Sequence, residues 1–206
     1  MSITRTMQSQ GGKPSGVLGM FIGRLMNMFH GAIHTWGLNN IPIHEHATCL
    51  DIGCGGGNTI NVLAEKAKSG KVHGLDHSVE MVALAQRLNR AAIAQGVVDI
   101  RQGTVSALPF SDDSFDLVTA FETIQFWPDI QHDVMEVKRV LKPSGIFLIV
   151  NRYPPENSKW SEFLQLKSAD AYTDLLRTAG FQEVALDTTT KPGWIKVVAM
   201  QKRGIL

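Results

Sequence analysis

Ala47-Thr-Cys-Leu-Asp-Ile-Gly-Cys-Gly-Gly-Gly57 is the stretch from which the rest of the chain can be read. An apolar, β-prone segment ends at Ile52, glycines stand at 53, 55, 56 and 57, and a helical pattern opens at Asn58. Strand, glycine turn and helix start together form the geometry of a nucleotide-type site. Glycine lets backbone approach a ligand closely, and a helix N-terminus offers N–H groups with no intrahelical partner. The spacing narrows the choice. A dinucleotide fingerprint, G-x-G-x-x-G, needs its third glycine where this chain has Asn58, and a P-loop needs a Lys that does not follow. Gly57 comes one residue early, and Asp51 stands two residues before the first glycine.

Working outward, strands are expected at residues 48–52, 71–76, 97–102, 115–121 and 146–151. Between them, helices are expected at 58–67, from Ser78 to about residue 95, and at 130–141. Ile60, Leu63, Ala64 and Ala67 share one face of the first, and Val134, Val137, Val140 and Leu141 one face of the last. Ser78 is placed to cap its helix, and Pro143-Ser144-Gly145 breaks the helix before it. This alternation predicts a doubly wound α/β sheet, Rossmann-like, with right-handed crossovers. A helix at 168–179 and two β-prone runs, 181–188 and 194–202, append an antiparallel C-terminal hairpin to the mostly parallel sheet. Upstream, an amphipathic helix is expected at 19–35, so residues 1–40 read as an extension with a lid-like helix and 41–206 as the main domain.

Composition excludes several classes of function. The chain has 206 residues, a net charge of +1 and 19% charged residues, without a block of like charge. Such a surface sets up no strong field for nucleic acid or anionic membrane. Arg24 and His30 interrupt the only long apolar stretch, so no membrane span is expected. Two cysteines and no framed signal peptide suggest a reduced, cytoplasmic setting. Neither Cys49 and Cys54 nor His44 and His46 have the spacing of a metal site.

Asp76 ends the second strand, where an acid can accept hydrogen bonds from both hydroxyls of a ribose. Two further motifs follow: Gly103-Thr-Val-Ser-Ala-Leu-Pro-Phe-Ser-Asp-Asp-Ser-Phe-Asp116 and Arg139-Val-Leu-Lys-Pro-Ser-Gly145. With D-x-G-x-G-x-G at Asp51–Gly57, they resemble, in order, the motifs of class I S-adenosylmethionine-dependent methyltransferases of the small-molecule "type 11" kind. The resemblance covers roughly residues 47–150 and implies a seven-stranded sheet. It implies that Gly53, Gly55 and Gly57 pass beneath the methionine part of the cofactor and that Asp51 holds its amino group. Asp76 would bind the ribose, His77 and Met81 would flank the adenine, and Thr104 and Val105 would meet its edge. Cys54, inside the turn, and Phe121, ending the fourth strand, complete the cofactor side. Thr104 departs from the acid usual in the family, and a neutral hydroxyl accepts more weakly than a carboxylate.

The implied reaction is methyl transfer from S-adenosyl-L-methionine to a small molecule, leaving S-adenosyl-L-homocysteine. Glu122, just past the fourth strand, is a candidate to orient the acceptor or act as its base. His30 and His34, four apart on one helical face, and Tyr153, after the fifth strand, are further candidates. Two rivals share the turn. A nicotinamide-dependent oxidoreductase is disfavoured by Asn58 and by the Leu108-Pro109-Phe110 loop, and a non-catalytic adenosyl-binding protein draws on the neutral Thr104. The apolar N-terminal helix leaves two packing options, its own domain or a second copy in a homodimer.

Overall fold

The structure, a computed structural model, describes residues 32–155, 158 and 161–201. The strands form one seven-stranded sheet in the order β3-β2-β1-β4-β5-β7-β6. By contacts the chain divides into two compact units, one through Thr104 and one from Val105.

The first unit holds β1 (Thr48–Ile52), α1 (Asn58–Lys66), β2 (Lys71–Asp76), α2 (Val79–Leu88), α3 (Arg90–Ala94) and β3 (Val98–Gln102). β2 pairs in parallel with both β1 and β3. Leu50, Ile52, Val72 and Leu75 are buried, as the near-continuous apolar runs of strands covered on both faces require. Ile60, Leu63 and Ala67 of the expected helical face are buried, and Ala64 is partly so. Ser78 caps α2, its hydroxyl accepting from the Met81 amide at 3.3 Å. The single helix expected from Ser78 to about residue 95 is instead broken at Asn89 into α2 and α3. At the break the buried Asn89 side chain bonds both back into α2 and across to the glycine turn, as described below. Residues 32–38 are helical, so the expected N-terminal helix runs past Thr35; most of it, with His30, lies outside the described residues.

The second unit holds β4 (Phe115–Phe121), α4 (Ile130–Val140), β5 (Leu141–Arg152), α5 (Ala169–Thr178), β6 (Glu183–Asp187) and β7 (Trp194–Met200). β4 and β5 are parallel, and β7 is antiparallel to both β5 and β6, which is the expected hairpin. Val134, Val137, Val140 and Leu141 are fully buried. α4 begins with a reciprocal cap: Asp129 Oδ1 accepts from the His132 amide, and Asp133 Oδ2 accepts from the Asp129 amide, each at 3.2 Å. Pro143-Ser144-Gly145 does end this helix, but it is not a separate turn. It lies inside β5 at an irregularity in the register with β4, where Phe115 pairs with Leu141 and Leu117 with Ile146. A side chain at Gly145 would stand 2.9 Å from the Phe115 carbonyl oxygen, so the irregularity needs the smallest residue.

Candidate functional site

In the first unit the glycine turn hangs on the end of β2. The Gly53 and Cys54 amides both donate to the Leu75 carbonyl, at 2.7 and 3.1 Å. Asp76, 6% exposed, then holds the middle of the turn. Its Oδ2 accepts from the Gly55 amide at 2.8 Å, and its Oδ1 accepts from the Ser78 amide at 2.9 Å. Each carboxylate oxygen keeps a further lone pair, so the group can still accept from a diol.

Two of the glycines do different jobs. Gly55 has φ +50°, and a side chain there would meet nothing within 4 Å, so its backbone borders open space. Gly57 has φ +85°, and a side chain there would stand 2.6 Å from Asn89 Nδ2 and 2.9 Å from the Ala85 backbone. Gly57 is therefore required for packing α1 against α2. Asn89 Nδ2 donates to the Gly57 carbonyl at 3.1 Å and to the Ala85 carbonyl at 2.9 Å. Sequence reasoning missed Asn89. The available signal was a lone amide continuing the apolar row Met81, Ala85 at helical spacing.

The remaining residues of this group are placed as follows. Asp51 is buried near the end of β1, and Met81 is buried in the first turn of α2. His77 is exposed, its Nδ1 3.6 Å from Asp76 Oδ1. Burial, reinforced by Asp51 and Asp76, pushes the Cys54 thiol well above its ordinary pKa, so it is a neutral filler at pH 7 and no nucleophile. Thr104 is exposed, directly after Gly103, whose amide donates to the Asp76 carbonyl at 2.9 Å. His34 lies within hydrogen-bond distance of Thr59, Nδ1 to Oγ1 2.9 Å, which ties residues 32–38 to the first turn of α1. Open backbone at Gly55, a buried acid on its amide and a second buried acid, Asp51, make a donor and acceptor set that fits an amino-acid–nucleoside cofactor.

In the second unit two of the sequence motifs prove to be one device. Arg139 Nη1 donates to the Phe110 carbonyl and to Asp112 Oδ1, both at 2.8 Å, and Nη2 donates to the Leu108 carbonyl at 3.1 Å. Its other edge grips Glu136, Nε to Oε1 at 2.8 Å and Nη2 to Oε2 at 2.9 Å, and Glu136 Oε2 also accepts from the Leu108 amide. The guanidinium holds the Glu136 carboxyl below its ordinary pKa, and the two acids push that of Arg139 up. Lys142 likewise clasps both oxygens of Asp116, at 2.8 and 2.9 Å. The R-V-L-K-P segment thus pins the L-P-F loop and the start of β4. Val105, at the head of that loop, is buried in a short 3₁₀ turn.

At the carboxyl end of β4, Phe121 is buried and Glu122 adopts φ +55°, an uncommon value for a residue with a side chain. Its amide donates to the Val150 carbonyl at 2.7 Å, and its Oε2 accepts from Arg152 Nε at 3.1 Å. The Arg152 guanidinium carbon lies 4.1 Å from the Trp194 ring centroid, and the two residues are register partners of β5 and β7. Trp127 is buried and stacks on Phe147, whereas Phe126 is 44% exposed. Tyr153, one residue past β5, accepts from the Ala169 amide at its hydroxyl, 3.2 Å away, which anchors the first turn of α5.

Residues 50–149 match the family described as "Methyltransferase domain". An uncharacterized methyltransferase of Bacillus subtilis, YcgJ, is 41% identical over 122 residues, 58% of this chain and 46% of the relative. The demethylmenaquinone methyltransferase of Lactobacillus johnsonii is 34% identical over 57% of this chain and 50% of its own length. The chain therefore spans about half the length of the curated relatives it matches. Among solved structures, a chain from the complex of the Haloferax volcanii Trm112 methyltransferase activator with a methyltransferase superposes with a TM-score of 0.75. It is 26% identical, covering 88% of this chain and 94% of that one. The matched segment begins in β1, takes in the glycine turn, Asp76, the L-P-F loop and Arg139, and ends in β5. Over residues 50–149 the chain is therefore similar to methyltransferase domains, as the sequence motifs imply.

Proposed function

We propose that this chain transfers a methyl group from S-adenosyl-L-methionine to a small-molecule acceptor and releases S-adenosyl-L-homocysteine. The observation that carries the reading is the glycine turn, in which Asp76 holds the Gly55 amide beside open backbone. In the bound state Asp76 takes the ribose hydroxyls, Asp51 the cationic amino group, and His77 and Met81 the faces of the adenine. Thr104 and Val105 meet the adenine edge. The cofactor supplies a methyl made electrophilic by its sulfonium. The work left to the chain is orientation and exclusion of water, which can supply a large part of the barrier reduction in a bimolecular displacement.

The acceptor end lies at the carboxyl ends of β4 and β5, the side on which open α/β sheets bind their ligands. The Lactobacillus relative is named for a quinone precursor, and a flat ring is therefore the first acceptor class to screen. The test incubates the protein with methyl-labelled S-adenosylmethionine and a small-molecule extract. Label is expected in a small-molecule product, with S-adenosylhomocysteine formed in equal amount. Label that passes only to protein or nucleic acid, or not at all while the cofactor binds, contradicts the proposal.

A further inference from the structure

We propose that Arg152 is the acceptor-recognition residue and that it reads a carboxylate carried on a flat aromatic ring. The inference rests on the methyltransferase reading and names the substrate class of the same site.

Three observations lead to it. Arg152 is the last residue of β5, at the carboxyl end of a parallel strand, where ligands of this architecture bind. Its side chain is half exposed yet held from two sides. Glu122 accepts from Nε at 3.1 Å, and the guanidinium carbon lies over the Trp194 ring, 4.1 Å from its centroid. Glu122 itself sits at φ +55°, and backbone strain of this kind persists where the surroundings over-determine it and clusters at functional sites.

This arrangement leaves one edge of the fork to spare. Nε is spent on Glu122, while Nη1 and Nη2 are given no acceptor among the described residues. Two parallel N–H groups in a rigid plane match the two oxygens of a carboxylate, a geometry that a lysine cannot offer. Because Trp194 and Glu122 already fix the plane, little side-chain freedom is lost when an anion docks. Glu122 lies on the Nε side of the guanidinium, away from the spare edge, so its repulsion of a bound anion is weaker than the attraction of the nearer Nη groups. The preference for a ring comes from Phe126, an exposed aromatic in the turn that directly follows Glu122. Gln165 pins that turn, donating to the carbonyls of Gln125 and Trp127 at 3.0 and 2.9 Å. The arrangement also gives Glu122 a task other than base: its carboxylate is paired, and it acts through Arg152 as a positioning residue.

The probes are 2-naphthoate and its neutral isostere 2-naphthamide, titrated by calorimetry into the full chain saturated with S-adenosylhomocysteine. Wild type is expected to bind the carboxylate at least about tenfold more tightly than the amide. Arg152→Ala should bring that ratio close to one, and Arg152→Lys, which keeps the charge but not the fork, should leave it in between. A merely structural ion pair would change both probes alike and leave the ratio unmoved. Equal affinity for the two probes in wild type, no binding of 2-naphthoate, or a full ratio in Arg152→Lys overturns the inference. If the alanine variant fails to fold, the lysine variant alone decides. Failure of wild type to bind S-adenosylhomocysteine strikes the methyltransferase reading instead, so the two failures are told apart.

Discussion

Gly57→Ala and Gly55→Ala form a pair that separates packing from ligand binding within one turn. At Gly57 the added methyl meets Asn89 Nδ2 at 2.6 Å and the Ala85 Cα at 2.9 Å, and the backbone is at φ +85°. A left-handed conformation costs an L-residue about 1–2 kcal/mol. Forcing a methyl against a neighbouring backbone costs about 1–3 kcal/mol, and losing the Asn89 bond to the Gly57 carbonyl about 1 kcal/mol more. These terms overlap, because moving α2 relieves the clash and breaks the bond together, and a loss of roughly 3–5 kcal/mol is expected. For a chain of this size that is a fall in Tm of roughly 6–20 °C. At Gly55 only the conformational cost applies, about 1–2 kcal/mol, since nothing stands within 4 Å of the methyl. The methyl there occupies the space beside the open backbone, so S-adenosylmethionine affinity should fall at least about tenfold, or ~1.4 kcal/mol. Urea unfolding reads the first effect and titration calorimetry the second. The reasoning is refuted if Gly57→Ala stays within about 1 kcal/mol of wild type, or if Gly55→Ala binds the cofactor unchanged.

Three further outcomes are expected. Asp76→Ala removes the acceptor of the Gly55 and Ser78 amides and should weaken cofactor binding by ~1.5–3 kcal/mol, read by calorimetry; unchanged affinity would reject its ribose role. Arg139→Lys cannot grip Glu136 and the Leu108 and Phe110 carbonyls together, so it should cost about 1–3 kcal/mol. Hydrogen exchange at the Leu108 amide should quicken in that variant, and unchanged protection there would count against the pinning role. Burial holds the His73 pKa below its ordinary 6.5, against the opposing pull of Asp99. An unfolded chain therefore takes up that proton first, so the contribution is full above pH 6.5 and is lost as the pH falls through 6.5 toward the lowered native value. Tm should drop over that interval in wild type and drop less in His73→Gln; equal slopes would exclude His73 as the cause.

Much of the fold was legible because it is written locally. β1, β2 and β4 fall where apolar runs meet glycines and acids, and Ser78 caps its helix as its position suggests. What was not legible depends on partners distant in sequence. The helix that propensity would continue breaks at Asn89, whose amide reaches the Gly57 carbonyl 32 residues away. Arg139 was read as part of a turn motif, yet it works on the carbonyls of Leu108 and Phe110, and a carbonyl carries no sequence signature. The same holds for the acceptor end. Glu122 was visible as an acid after a strand, but its pairing with Arg152, 30 residues on, and the stacking of Arg152 on Trp194 exist only once β5 and β7 align. The proposed cofactor half rests on short local motifs, Asp51–Gly57 and Asp76–His77, each visible in the sequence. The proposed acceptor half draws on strand ends, Glu122 after β4 and Arg152 at the end of β5, and no single stretch encodes it.

The most direct test of the central claim is titration of the full chain with S-adenosylmethionine, S-adenosylhomocysteine and NAD under the same conditions. Saturable binding of both adenosyl sulfur compounds, abolished or greatly weakened in Gly55→Val and with no comparable binding of NAD, is the predicted result. Tight binding of NAD, with none of S-adenosylmethionine, would contradict the account.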